Sequence, residues 1–234
     1  MSESILLREL FLIRHGESLA NIGIADPGNL DETQDPVLSP LGEEQAAKLG
    51  EWAKTAGLDA VYSSGLRRAA ATAGEAALNS ADRRLFILPD LCEIGINPDY
   101  PGQSLKDLAA LCPGVKACLA EGIDEDTGIV VPDPTPKEFE ERYFERARKV
   151  FEYFENMYNS GERIALVSHA GFLTYMIFYL IGYRDRQPAY DFRLSNTGIT
   201  RILFYEPGTN QYGDVIFDCI NERKHLGDTP VIMG

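Results

Sequence analysis

Positive charge is what this chain has least of. Its 22 lysines and arginines stand against 36 aspartates and glutamates, a formal charge of −14 over 234 residues. A surface of that sign repels nucleic-acid backbones and anionic headgroups, which excludes nucleic acid and membranes as general partners. Cysteine is sparse as well. The four, at 92, 112, 118 and 219, form no CxxC pair and no cluster with histidine, so no bound zinc is expected. Long hydrophobic runs are missing: the most apolar stretch, Phe172 to Tyr183, is too short to span a bilayer. Met1-Ser2-Glu3-Ser4 has no basic region leading into an apolar one, so no signal peptide is expected and a reduced cytoplasm is the default location. Repeats, low-complexity tracts and clear linkers are absent. With 44% apolar and 25% charged residues, the composition predicts one soluble globular domain over residues 1–234.

What is present begins with Leu10-Phe11-Leu12-Ile13, a short apolar run that reads as a buried strand. Arg14, His15 and Gly16 follow at once, which puts a cation and an imidazole at a strand's carboxyl end, where open α/β sheets bind ligands. Ser39 reads as the N-cap of a helix with Pro40 at its first position, and Gly57 ends it. Ala60-Val61-Tyr62-Ser63 is a second strand, and Ser64 reads as the cap of a helix from about Leu66 to Leu78. Side chains of a first helical turn lean towards the helix N-terminus, so Arg68 can reach back to the strand ends, while Arg67 reads as solvated. Leu85 to Leu88 is a third strand, followed by Leu91-Cys92-Glu93.

Residues 96–135 read as an irregular insertion, a lid over the site. Thr135-Pro136-Lys137-Glu138 is a capping box opening a helix whose apolar stripe runs Phe139, Tyr143, Ala147, Val150, Phe154, Met157. Ile164 to Ser168 repeats the opening arrangement: an apolar strand, then His169-Ala170-Gly171 and a helix apolar nearly all round. Gly198 to Tyr205 and Tyr212 to Ile220 predict a closing hairpin around Pro207-Gly208. Strands alternating with helices give an α/β fold with a mainly parallel sheet.

Four short segments together resemble the signatures of the histidine phosphatase superfamily, the phosphoglycerate mutase-like proteins. They are Arg14-His15-Gly16-Glu17 with Ser18 and Asn21, Ser63-Ser64-Gly65-Leu66-Arg67-Arg68-Ala69, Leu91-Cys92-Glu93, and His169-Ala170-Gly171. The likeness covers roughly residues 9–182 apart from the insertion. It departs at Gly65, where Asp is common, at Ala170, where Gly is frequent, and after Glu93, where Ile94 to Tyr100 replaces a Gly-x-Trp-Glu-Gly type segment. Alanine rather than aspartate after His169 sets it apart from the phytase-type branch and likens it to the mutase and small-phosphatase branch.

The resemblance implies a three-layer α/β/α sandwich and a phosphohistidine enzyme needing neither metal nor other cofactor. His15 would be the nucleophile, and Glu93 the general acid. Arg14, Asn21, Arg68 and His169 would bind the phosphoryl group, with His169 also stabilising the transition state. Three functions fit: hydrolysis of a small phosphate monoester, phosphoglycerate mutase-type transfer, or a catalytically silent phosphate-binding module. Between Arg84 and Arg142 there is no arginine. From Leu85 to Glu141 three lysines face twelve acidic residues, a segment of the wrong sign for a polyanionic mutase substrate. Hydrolysis is therefore expected. Tyr100, Leu105 and Ile129-Val130-Val131 line a substrate pocket or form the insertion's own small core. His225 reads as part of a solvated tail, and the oligomeric state, a homodimer included, stays open.

Overall fold

The computed structural model describes residues 4–26, 28–124, 128–132, 139–183 and 191–232. In chain order the elements are β1 (Leu6–Arg14), α1 (Leu30–Thr33), α2 (Pro40–Ala56), β2 (Ala60–Ser63), α3 (Arg67–Ala77), β3 (Arg84–Ile87), α4 (Leu105–Ala110), β4 (Lys116–Leu119), α5 (Phe139–Met157), β5 (Glu162–Ser168), α6 (Ala170–Leu180), β6 (Ile199–Tyr205) and β7 (Val215–Glu222). The strands make one sheet in the order β4-β3-β2-β5-β1-β6-β7. The first five in that order are parallel, and β6 pairs antiparallel with both β1 and β7.

Burial on both faces explains the unbroken apolar runs of β1 and β5. Leu10 and Leu12 enter one core with Leu166 of β5, Val150 and Phe154 of α5, and Phe172 and Met176 of α6. Phe11 and Ile13 enter the other with Leu49 and Ala53 of α2, Leu108 of α4, and the alanine face of α3, Ala69, Ala73 and Ala76. These are the three layers expected from the resemblance. Ser39 caps α2, its hydroxyl accepting from the Gly42 N–H, and Gly57 closes the helix with a φ of +65°. No helix of the described residues is long and apolar enough to cross a membrane.

Three local expectations need correction. Residues 96–135 are not irregular throughout: α4 lies among them, and β4 pairs in parallel with β3 as the sheet's edge, Leu85 opposite Ala117 and Ile87 opposite Leu119. A four-residue strand with half-buried Ala117, Cys118 and Leu119 is too short to show a period. Ser64 does not cap α3. The N-cap residue is Leu66, without a side-chain bond. His225 is not a solvated tail residue, because it sits in a short 3-10 turn with Nε2 3.1 Å from Thr197 Oγ1. The capping box at 135–138 lies outside the described residues.

The later part of the insertion is seated on the turn between β2 and α3. A Cβ at Gly65 would stand 1.7 Å from the Ile129 carbonyl oxygen. Val130 packs with Leu66, Cys92, Ile96 and Tyr100 in a small cluster of buried side chains. Tyr100 and Val130 thus lie in a small core, but the insertion shares it with Leu66 and Cys92, and Ile129 and Leu105 join the main core of α2, α3 and α4 instead. Gly65→Ala should destabilise the protein by about 1–3 kcal/mol, the usual cost of overpacking. Urea denaturation measures this, and an unchanged midpoint would contradict the contact.

Candidate active site

The site forms where β1 and β5 end side by side. Their register sets Arg14 opposite Ser168, and the His15 N–H donates to the Ser168 carbonyl at 3.0 Å. The rings of His15 and His169 consequently lie 5.0 Å apart, inclined by 55°. Ser168 Oγ donates to the Leu91 carbonyl at 2.6 Å, tying the segment that carries Glu93 to the same strand end. From the other side Asn196 Nδ2 donates to the His15 carbonyl at 3.1 Å, and the Thr197 N–H donates to that of Arg14 at 2.9 Å.

His15 is only 4% exposed. Its Nδ1 lies 2.6 Å from the Gly16 carbonyl, which can only accept, so Nδ1 carries the proton and Nε2 the lone pair. Arg68 Nε donates to that lone pair at 3.3 Å. Burial, then the charges of Arg68 and Arg14, push the imidazole well below its ordinary pKa and keep it neutral, against the bond to Gly16. Thr72 steadies this corner: its hydroxyl accepts from the Gly16 N–H at 3.0 Å and donates to the Arg68 carbonyl at 2.7 Å.

Both arginines are buried. Arg14 Nη1 donates to the carbonyls of Leu194 at 2.7 Å and Ile232 at 3.1 Å. Its Nε is buried with no partner among the described residues. Burial lowers the Arg14 pKa to about 10, with Glu93 acting to raise it and Arg68 to lower it further. Arg68 Nη1 donates to the Gln34 carbonyl at 3.1 Å and lies 3.8 Å from Asp35 Oδ1. Burial lowers its pKa too, with Asp35 and then Glu93 opposing. Arg67, expected to be solvated, is instead engaged: its N–H donates to Asp35 Oδ1 at 2.7 Å and its Nε to the Asp35 carbonyl at 2.9 Å.

His169 is fully buried at the N-cap of α6. Its Nε2 lies 2.7 Å from Ser64 Oγ, which also accepts the Leu66 N–H at 3.3 Å. With that hydroxyl donating to Nε2, the ring proton sits on Nδ1, a buried donor with no partner among the described residues. Burial and the nearby arginines hold this imidazole well below its ordinary pKa. Glu93 lies against the start of α6. Its Oε1 accepts from the N–H groups of Ile94 at 2.9 Å and Phe172 at 3.0 Å, and Oε2 from Gly171 at a looser 3.4 Å. Asn21 stands further along the chain, and its Oδ1 accepts from the N–H and hydroxyl of Ser18 at 3.0 and 3.2 Å. Only its Nδ2 is left as a donor for a ligand.

His15, His169, Arg14, Arg68 and Glu93 are thus brought together, while Asn21 is bound first into its own loop. Sequence reasoning missed Ser64, taken for a helix cap, together with Asp35 and Asn196. The partners of these side chains are distant in sequence, and no spacing announces them. Among the described residues no three His, Cys, Asp or Glu side chains form a set that could hold a metal ion.

The model of the histidine phosphatase superfamily (branch 1) matches residues 10–212. A broad-specificity phosphatase of Saccharomyces cerevisiae is 28% identical over 226 residues, 94% of this chain and 87% of the relative. Among solved structures, phosphoserine phosphatase from Entamoeba histolytica superposes with a TM-score of 0.56 at 22% identity, covering 94% of this chain and all (100%) of that one. A phosphoglycerate mutase from Bacillus anthracis gives 0.59 at 21% identity, covering 97% of each chain. At these identities the structures speak for the fold alone, and the fold is common to a phosphatase and a mutase.

Ser64→Ala leaves a buried imidazole nitrogen without its partner, a loss of about 1–3 kcal/mol. It should lower kcat/KM of phosphate ester hydrolysis by roughly ten- to a hundredfold, and steady-state kinetics at wild-type rates would remove the role. A second expectation concerns acid stability. Burial, opposed by Glu222 and assisted by Lys48, lowers the His225 pKa to about 4, whereas the unfolded chain protonates near 6.5. Between these values the unfolded state binds more protons, so stability is complete above about pH 6.5 and falls as pH drops towards 4. Melting temperatures at pH 7.5 and 4.5 should therefore differ less in His225→Gln than in the wild type. Equal differences would show that His225 does not contribute.

Proposed function

The chain belongs to the histidine phosphatase superfamily (branch 1) and is a phosphatase, and on that premise we propose that it hydrolyses small phosphate monoesters through a phosphohistidine on His15, without a metal. The observation that carries this reading is the Nδ1 contact to the Gly16 carbonyl at 2.6 Å, which leaves the lone pair of a buried, neutral imidazole on Nε2, facing Arg68 Nε at 3.3 Å. Neutral imidazole is a competent nucleophile at pH 7.

In the first step Nε2 attacks phosphorus, the N–P bond forms and the ester P–O bond breaks. The leaving alkoxide takes the proton of Glu93, whose Oε2 is the less tightly held oxygen. Arg14, Arg68, the Nδ1 proton of His169 and Asn21 Nδ2 donate to the phosphoryl oxygens as charge spreads over them. In the second step Glu93 takes a proton from water, the hydroxide attacks phosphorus, the N–P bond breaks and orthophosphate departs. Residues of the insertion at 96–124 and 128–132 wall the site, and the buried contacts of Ile129 and Val130 over the β2–α3 turn support that placement. The absence of arginine from 85 to 141 supports water over a second phosphate as acceptor.

Wild type and Glu93→Gln are to be compared on p-nitrophenyl phosphate and on an alkyl phosphate. Loss of the acid should slow the alkyl ester by about two to four powers of ten, and the better leaving group much less. Label from a radioactive ester should be trapped on His15, and activity should survive EDTA. Label on serine or cysteine, or a metal-restorable loss, would overturn the mechanism. Phosphoglycerate interconversion faster than phosphate release would establish the mutase instead.

A further inference from the structure

Asp35 is a carboxylate that the mechanism does not use, and it is 0% exposed. It lies in the link between α1 and α2, and every group bonded to its side-chain oxygens is a donor. Oδ1 accepts from the Arg67 N–H at 2.7 Å, Oδ2 accepts from the Tyr100 hydroxyl at 2.8 Å, and Arg67 Nε stands 3.4 Å from Oδ2. Its remaining close neighbour is Arg68, with Nη1 3.8 Å from Oδ1. At that separation the two form an ion pair too long for a hydrogen bond, while Nη1 donates to the Gln34 carbonyl at 3.1 Å. Asp35 therefore supplies Arg68 with charge, while Gln34 supplies the geometry.

The same guanidinium reaches 3.3 Å from His15 Nε2 with its Nε. A phosphoryl group on that nitrogen and the carboxylate of Asp35 would thus share one buried cation from opposite sides. In a site sheltered from water, two anions around one guanidinium oppose each other strongly. We propose that Asp35 is a built-in counter-charge that weakens the hold of Arg68 on phosphate, so that orthophosphate is released after hydrolysis. It acts through Arg68 and is a positioning residue, not a catalytic one. The inference rests on reading His15 and Arg68 as the phosphate site. Tyr100 brings the insertion into the same network: its hydroxyl also accepts from Gln103 Nε2 at 3.1 Å, and the Asn97 N–H donates to the Gln34 side chain at 2.9 Å.

A purely structural role predicts the opposite sign. If Asp35 merely held Arg68 in place, removing its charge would loosen the cation and weaken anion binding. The probe is inorganic orthophosphate, measured as a competitive inhibitor and by titration calorimetry on the full chain at fixed ionic strength. Asp35→Asn, which keeps the shape and the acceptor for the Arg67 N–H, should bind orthophosphate about tenfold more tightly than the wild type. Asp35→Ser is the second neutral variant, should the first not fold. Tyr100→Phe keeps the charge and should stay within about threefold of the wild type. Unchanged or weaker binding in the neutral variants overturns the proposal, as does a Tyr100→Phe variant that tightens as much as Asp35→Asn. Neutral variants that fold not even with orthophosphate present overturn it in favour of a fold role. A wild type that neither binds orthophosphate nor hydrolyses esters removes the functional reading itself, whereas a wild type that does both isolates any failure to Asp35.

Discussion

The parallel pairing of β1 with β5 is the constraint on which the rest of the site depends. Seven residue pairs run from Arg8 opposite Glu162 to Arg14 opposite Ser168, and the two histidines are simply the next residues of each strand. A slip of one residue would turn every side chain to the other face. Hydrophobicity does little to prevent such a slip, because Leu10 and Leu12 on one face and Phe11 and Ile13 on the other all enter apolar cores. Polar bonds then fasten each strand end to its surroundings. Ser168 reaches Leu91, Asn196 reaches the His15 carbonyl, and Thr197 takes up the left-handed region at φ +51° while its N–H meets Arg14. The His15 N–H, on the Ser168 carbonyl, joins the two ends to each other.

In a body of charge −14 the cations of the site are held by burial, each with a carboxylate near it, Glu93 by Arg14 and Asp35 by Arg68. Two guanidiniums lie inside, next to two imidazoles that desolvation keeps neutral. Water is largely excluded from these groups, so the donors left unpaired, Arg14 Nε and His169 Nδ1, count for more than they would at the surface.

Much of this was readable in one dimension, and the reason is local. His15 and His169 each follow an apolar strand at once, and Arg68 occupies the first turn of a helix that starts beside the strand ends. Their placement needs no long-range knowledge. Glu93 was readable only through the family likeness, since a carboxylate near a strand end is ordinarily solvated. Ser64 and Asp35 were not readable. Ser64 meets His169 across 105 residues and Asp35 meets Tyr100 across 65, separations at which spacing carries no information. Arg67 shows the same limit from the other side: a charged residue next to another charged residue looks solvated until the loop that covers it is in place. The edge strand β4 escaped because four residues with an exposed Lys116 at their head do not establish a period.

The contact of Gly65 with Ile129 has a consequence for how such a site diversifies. With the carbonyl where a Cβ would stand, the path of the chain at Ile129 and the residue in the turn below it constrain each other. Any side chain at that turn position would have to push the covering segment onto another route. Exchanging the segment for a different one must therefore take the turn residue into account as well.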